Sequence, residues 1–235
     1  MHGLKLYGVF VGLTIMIMAM CDTLAFKIVN INGYDFAASG LIYSFSFFLA
    51  SIMTEVYGYK LAGRIIWIQY LCHILFVITV NLFVLIPPSP SWTEKDMFYK
   101  NLYGNYWYIL LGSCFSLPTA YFVNDLVLSK LKVYLYGKAF MLRYIFSNFF
   151  GSAVLVIISY PFTFYHQYPL DKIAQIAFHT WVYKVVIAMF LMPIGIWLSR
   201  YVKMIEGLDY YDYGISYNPL KVFATNNPGT NKYAS

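Results

Sequence analysis

Six runs of about 20 apolar residues divide this chain, near residues 7–26, 36–54, 65–86, 106–128, 141–164 and 176–198. A hydrocarbon layer roughly 30 Å thick is crossed by a helix of about that length. The runs are too long for barrel strands and lack their alternation. Unpaired backbone groups are prohibitive in lipid, so helices are what remains. The chain is therefore predicted to be an all-α integral membrane protein. Residues 1–203 form a bundle of six transmembrane helices, and residues 204–235 form a polar, mostly solvated cytoplasmic tail. Composition points the same way, with 60% hydrophobic and 11% charged residues. Soluble domains carry roughly 25% charged residues. A water-soluble globule, a disordered chain and a coiled coil are excluded together.

The net charge of +6 would suggest nucleic acid in a soluble protein. Here the positive residues sit in short loops between apolar runs, so they read as orientation signals and no nucleic-acid partner is expected. One side holds Lys5, Lys60, Arg64, Lys130, Lys132, Lys138, Arg143, Arg200, Lys203, Lys221 and Lys232, eleven in all. The other holds Lys27, Lys95, Lys100 and Lys172, four in all. Both termini are thus predicted to face the cytoplasm. The first run is too long for a signal-peptide core and lacks a small-x-small cleavage site after it, so it reads as a span. Cys21, Cys72 and Cys114 are scattered through apolar stretches without a CxxC pair and read as small buried side chains.

The longest and most polar connection runs from Pro87 to Gly104, and Pro87, Pro88 and Pro90 stop the helix before it. Pro118 and Pro193 are expected to interrupt the fourth and sixth helices, as in the broken helices of some transporters. Tyrosines near span ends, among them Tyr7, Tyr57, Tyr59, Tyr106, Tyr108, Tyr165 and Tyr201, read as interfacial anchors.

Polar residues within the spans carry the functional signal, because they are costly there and face the bundle interior. Asp22 and Lys27 close the first helix, where they could pair with each other. Ser44, Ser51 and Glu55 share one face of the second. Gln69, His73 and Asn81 share a side of the third. The fourth has Ser116, Ala120 and Asn124 at spacing four, with Asp125 beside them. The fifth has Arg143, Ser147 and Gly151 at spacing four, with Asn148 beside them. His179 and Lys184 lie in the sixth. The small residues of these rows also serve close helix packing. Arg143 is near enough to the edge to snorkel, and His73 could simply bond a carbonyl. Lys184, about eight residues into its span, needs a partner, water or a ligand, which favours a polar cavity. The candidate substrate-binding set is Asp22, Ser51, Glu55, Gln69, His73, Asn124, Asp125, Arg143, Ser147, Asn148 and Lys184.

HExxH, GxSxG, GxGxxG and Walker A patterns are absent from the sequence, and its four histidines show no metal-ligand spacing. No enzyme activity, cofactor or metal is implied, and no ATP-binding element is encoded.

Residues 54–67 read TEVYGYKLAGRIIW. This strongly resembles the TEVYGYKxARRxIW signature of the queuosine precursor transporter family, also called the vitamin uptake transporter family. CDTLAFKIV at 21–29, ASGLIY at 38–43, FVNDLVLSKLK at 122–132, the Arg143-x3-Ser147-x3-Gly151 pattern, and YKVV, Pro193, KMIEGLDYYD and NPL follow the same family in order. The resemblance implies six membrane helices and a fold similar to the substrate-binding subunit of energy-coupling-factor vitamin transporters. It implies import of 7-cyano- or 7-aminomethyl-7-deazaguanine, or queuine, across the bacterial inner membrane for modification of the tRNA wobble position. Such members commonly carry aspartates where this chain has Ser51 and Leu155.

The partners expected are a 7-deazapurine and membrane lipid. The flat base would stack on Tyr or Phe, and a carboxylate would accept from its N1–H and amine. Glu55, Asp22 or Asp125 could supply that acceptor, with Asn124 helping. Ser147, Asn148, Gln69 and Lys184 are candidates for the carbonyl and the 7-substituent. Two other readings stay open: a divergent member that imports another nucleobase or vitamin, and a capture subunit that needs an ATP-driven partner. Homo-oligomerisation is open as well.

Overall fold

The computed structural model describes residues 4–224 and 230–231. His2, Lys232 and most of the NNPGTNK segment lie outside them. In chain order the elements are α1 (Tyr7–Thr23), β1 (Ile28–Ile31), β2 (Tyr34–Ala37), α2 (Ala38–Leu85), α3 (Thr93–Tyr103), α4 (Tyr106–Tyr134), α5 (Phe140–Phe164), α6 (Leu170–Glu206), β3 (Tyr210–Tyr211) and β4 (Thr230–Asn231). Short 3-10 turns cover Pro90–Trp92 and Pro219–Lys221. Three helices, α2, α5 and α6, are long and apolar enough to cross a membrane.

The 48 residues of α2 would reach about 70 Å if straight, more than twice a hydrocarbon core. They do not run straight. Gly58 sits at φ 76°, ψ 170°, and the helix folds back there. Cys21 Sγ meets Ser39 O (3.8 Å) while the neighbouring Asp22 meets His73 (2.9 Å), so residues 39 and 73 lie at one level. The apolar runs at 36–54 and 65–86 are therefore the two arms of this hairpin, and the expected loop between them reduces to one glycine.

The fold-back strands the amide of Tyr59, the first of the returning arm. Asp212, from the segment after α6, accepts from it at 3.0 Å and from Ser129 Oγ at 2.5 Å. A residue far along the chain thus caps a helix start. Burial raises the Asp212 carboxyl above its ordinary value, against the two hydrogen bonds that lower it. Asp212→Ala should therefore cost about 1 kcal/mol, while Asp212→Asn, which keeps an acceptor oxygen, should cost little; thermal melts in detergent would check both.

The segment after α6 departs from the solvated tail expected of it. Leu208, Asp209, Asp212 and Val222 are buried. Tyr59 Oη donates to Tyr217 O (2.9 Å), Trp67 Nε1 to Pro219 O (2.9 Å) and Arg64 Nε to Val222 O (3.0 Å). This segment packs on α2 and α4 because their ends offer donors that lipid could not satisfy. Glu206, at the end of α6, accepts from the amides of Leu6 (2.6 Å) and Lys5 (3.1 Å) and from Tyr57 Oη (2.7 Å), which fixes the start of α1.

Several local expectations change. Helices α4 and α6 run through Pro118 and Pro193 without interruption, and the break falls at Gly58 instead. The Pro87–Gly104 connection contains α3. Tyr57, Tyr59 and Tyr106 are buried donors within the bundle, not interfacial anchors. Between α1 and α2 stands a hairpin turned by Asn32 (φ 52°) and Gly33 (φ 86°). Asp35 on this hairpin pairs with Lys172 of α6, and that bond holds its carboxyl below the ordinary value. The pair is only half-buried and near solvent, so Lys172→Ala should leave the melting temperature within error.

Small residues set the helix contacts. A Cβ on Gly151 would come within 2.8 Å of Asn124 Cβ and 3.1 Å of Ala120 O, so α4 and α5 meet backbone to backbone there.

Candidate functional site

A cavity of about 40 Å³ lies between α1, α2, α4, α5 and α6. Asp22, Tyr43, Ser113, Leu155, Tyr160 and Lys184 are among the residues that face it. That is room for a few waters. Drug-sized ligands take roughly 300–1,000 Å³, so a bicyclic base would enter only as the helices part.

Lys184 is 4% exposed, and its Nζ has no hydrogen-bond partner among the described residues. It stands 4.9 Å from the Tyr43 ring centre and 5.3 Å from that of Phe47. Gly40 makes room beside it: a Cβ there would lie 3.4 Å from Tyr160 Oη and 3.8 Å from Lys184 Cε. Phe47 in turn stacks on Tyr121 at 4.6 Å, so the rings under the ammonium are held in place.

Asp22 pairs with His73 and not with Lys27. Its Oδ2 is 2.9 Å from His73 Nδ1, and His73 Nε2 is 2.6 Å from Ser113 Oγ. With Asp22 ionised, Nδ1 carries the proton and Nε2 accepts from Ser113. Tyr106 Oη also donates to Asp22 O at 2.9 Å. The imidazole, which could have served a simple core carbonyl, instead links two groups of the cavity wall. His73 does not face the cavity itself; it orients Asp22 and Ser113.

A second polar layer joins α2, α4 and α5. Ser51 Oγ accepts from Asn124 Nδ2 (3.4 Å) and Asn148 Nδ2 (3.3 Å), and Asn124 Nδ2 also reaches Asp125 Oδ1 (3.1 Å). Asn124 Oδ1 and Asp125 Oδ2 are buried without a hydrogen-bond partner among the described residues. Ser147 Oγ turns back to Tyr144 O of its own helix. Gln69 is buried beside the Tyr121 hydroxyl, which donates to Ser46 at 2.5 Å.

The third group is ionic and lies at the end of the bundle where α2 folds back. Arg143 donates to both oxygens of Glu55, at 2.6 and 3.3 Å, and Lys203 donates to Oε1 at 2.7 Å. Asp209 receives Lys132 at 2.6 Å and Lys203 at 2.9 Å. Lys132 also donates to Glu55 O and Tyr210 O. Neither carboxylate oxygen of Glu55 is left for a ligand. Glu55 and Arg143, read from sequence as site candidates, are thus spent on each other. Arg143 does not snorkel either, because its guanidinium is fully buried on Glu55.

The eleven candidates therefore fall into separate groups, and of them Asp22 and Lys184 face the cavity. Tyr43 and Ser113, which face the cavity, and Phe47, which lies under the Lys184 ammonium, were not in the set. Tyr43 and Phe47 lie one turn apart on the face of α2 already marked by Ser44 and Ser51, and that spacing could have indicated them. The ion-network partners Lys132, Lys203 and Asp209 carried no such signal, being spread over three segments.

A helical membrane bundle that closes charged and aromatic side chains around an internal cavity has the architecture of a protein that handles a small solute. The chain belongs to the family described as "Putative vitamin uptake transporter", whose profile matches residues 37–198. Searches of curated proteins and of solved structures returned no match.

Proposed function

We propose that the protein is a bacterial inner-membrane importer of a queuosine precursor, a 7-cyano- or 7-aminomethyl-7-deazaguanine or queuine. The observation that carries this reading is the interhelical cavity, where Asp22, Lys184 and aromatic rings converge in a chain of the vitamin uptake transporter family. Six crossings are formed by α1, the two arms of α2, α4, α5 and α6, with both termini on the cytoplasmic side. Asp22, steadied by His73, accepts from the donor edge of the base. Parting of the ion network opens the cavity toward the cytoplasm.

The test is queuosine in the tRNA of a bacterium that lacks both precursor synthesis and its own importer. Cells expressing the protein are supplied with each precursor at nanomolar concentration. Restored queuosine with one of them establishes import and names the substrate. No restoration, despite membrane expression, overturns the reading. Asp22→Asn should reduce restoration at least tenfold, because an amide presents a donor where the base also presents donors.

One observation favours a second reading, import of another nucleobase or a vitamin. Leu155 lines the cavity where similar proteins commonly carry an aspartate. A competition panel of purines and vitamins against labelled precursor separates the two readings.

A further inference from the structure

The cavity contains a cation without an acceptor. Lys184 is enclosed by Tyr43, Phe47, Tyr160 and Cys21, and the one carboxylate in the wall, Asp22, is held by His73. The ring faces attract an ammonium but accept no hydrogen bond of ordinary strength. A buried polar group with no partner is costly and rare. His73 holds Asp22 Oδ2 at 2.9 Å, and no acceptor among the described residues lies within hydrogen-bond reach of Lys184 Nζ.

An ammonium offers three donors and no acceptor. It can therefore tell a ring carbonyl from a ring amine at the same position. Asp22, on another wall, has the opposite preference. We infer that Lys184 is the specificity-determining residue of this cavity, selecting flat heteroaromatic ligands that present an oxo group to Nζ and rejecting their amino counterparts. The inference rests on the importer reading for its ligand and goes beyond it in assigning the discrimination to one atom. The ring would lie against Tyr43, which already faces the cavity.

Binding is measured with the purified full-length protein in nanodiscs. The probes are 7-cyano-7-deazaguanine and the analogue in which its oxo group is replaced by an amine, a change that also removes the N1–H offered to Asp22, so the part of Lys184 is read from what its substitution does to each affinity. The wild type should prefer the oxo compound at least about 100-fold, since sites built around one hydrogen bond reject the analogue that cannot make it. Lys184→Met should lose about 100-fold for the oxo compound and change less than threefold for the amino one. Lys184→Gln, which offers both a donor and an acceptor, should bind the two within about tenfold of each other. Melting curves control for folding, and Lys184→Met should melt no lower than wild type because it removes an unpaired buried charge. A wild type that binds both probes equally, or a Lys184→Met that binds the oxo compound as tightly as wild type does, overturns the inference while leaving the importer reading standing. A wild type that binds neither probe overturns the inference, and the tRNA assay then decides the importer reading separately.

Discussion

Glu55→Gln is expected to be the most damaging single change in the molecule, costing about 3–5 kcal/mol. Breaking a buried ion pair from one side leaves the remaining charges desolvated and unpaired. Glutamine cannot supply the bidentate acceptor that Arg143 uses, and Lys203 loses its 2.7 Å partner at the same time. Arg143→Met should cost less, because Glu55 would still meet Lys203 at 2.7 Å and Lys132 at 3.9 Å. The pair Glu55→Gln with Arg143→Met should be less unstable than the sum of its parts. Thermal melts of the three variants in one detergent would check the order. A Glu55→Gln protein that melts with the wild type would mean that the network is solvated, and its part in holding that end closed would fall with it.

Gly58→Ala should cost about 2–3 kcal/mol, by a different mechanism. Its φ of 76° with ψ of 170° lies in a region that only glycine occupies without strain. An added Cβ would also come within 2.8 Å of Asp212 Oδ1 and 3.2 Å of Tyr210 Cβ. The penalty reaches beyond local strain, since the same methyl presses on the residue that caps the returning arm. Combining Gly58→Ala with Asp212→Ala should therefore cost less than the two changes separately. Reduced yield of folded protein and a melting temperature lower by several degrees are the expected signs. Gly63→Ala is a useful comparison: its Cβ would meet side-chain methyls of Val222 at 2.7 Å, but its backbone is helical.

Both predictions concern the stretch TEVYGYK, which from sequence resembles a family signature and holds the site candidate Glu55. Its glutamate anchors a charge network and its glycine reverses a helix. Neither reaches the cavity, and the reason is visible only when Arg143, Lys203 and Asp212 are brought in from other segments. Hydropathy was legible because it needs only neighbours in the chain. The apolar runs fall largely within α1, α2, α4, α5 and α6, although α6 extends well beyond its run at both ends, and the small-residue spacing around Gly151 corresponds to a real helix contact. The Asn32–Gly33 hairpin also had its ordinary signal, a two-residue turn between short β-prone runs, but a search for spans passes over it.

Sequence by itself determined that this chain is helical, apolar and suited to a membrane, because the price of bare backbone in lipid leaves no other choice. It also supplied the residues, Asp22 and Lys184, whose burial demands an account. What only the tertiary structure decided is which charge satisfies which. Glu55, Asp22 and Asp125 are the same kind of group, and all three are buried. One is saturated by arginine and lysine, one is steadied by a histidine from another helix, and one keeps an oxygen without a hydrogen-bond partner. Ion pairs and hydrogen bonds act over a few ångströms, so their pattern depends on helices that are distant in sequence and adjacent in space. That pattern leaves Lys184 without an acceptor at the edge of the cavity.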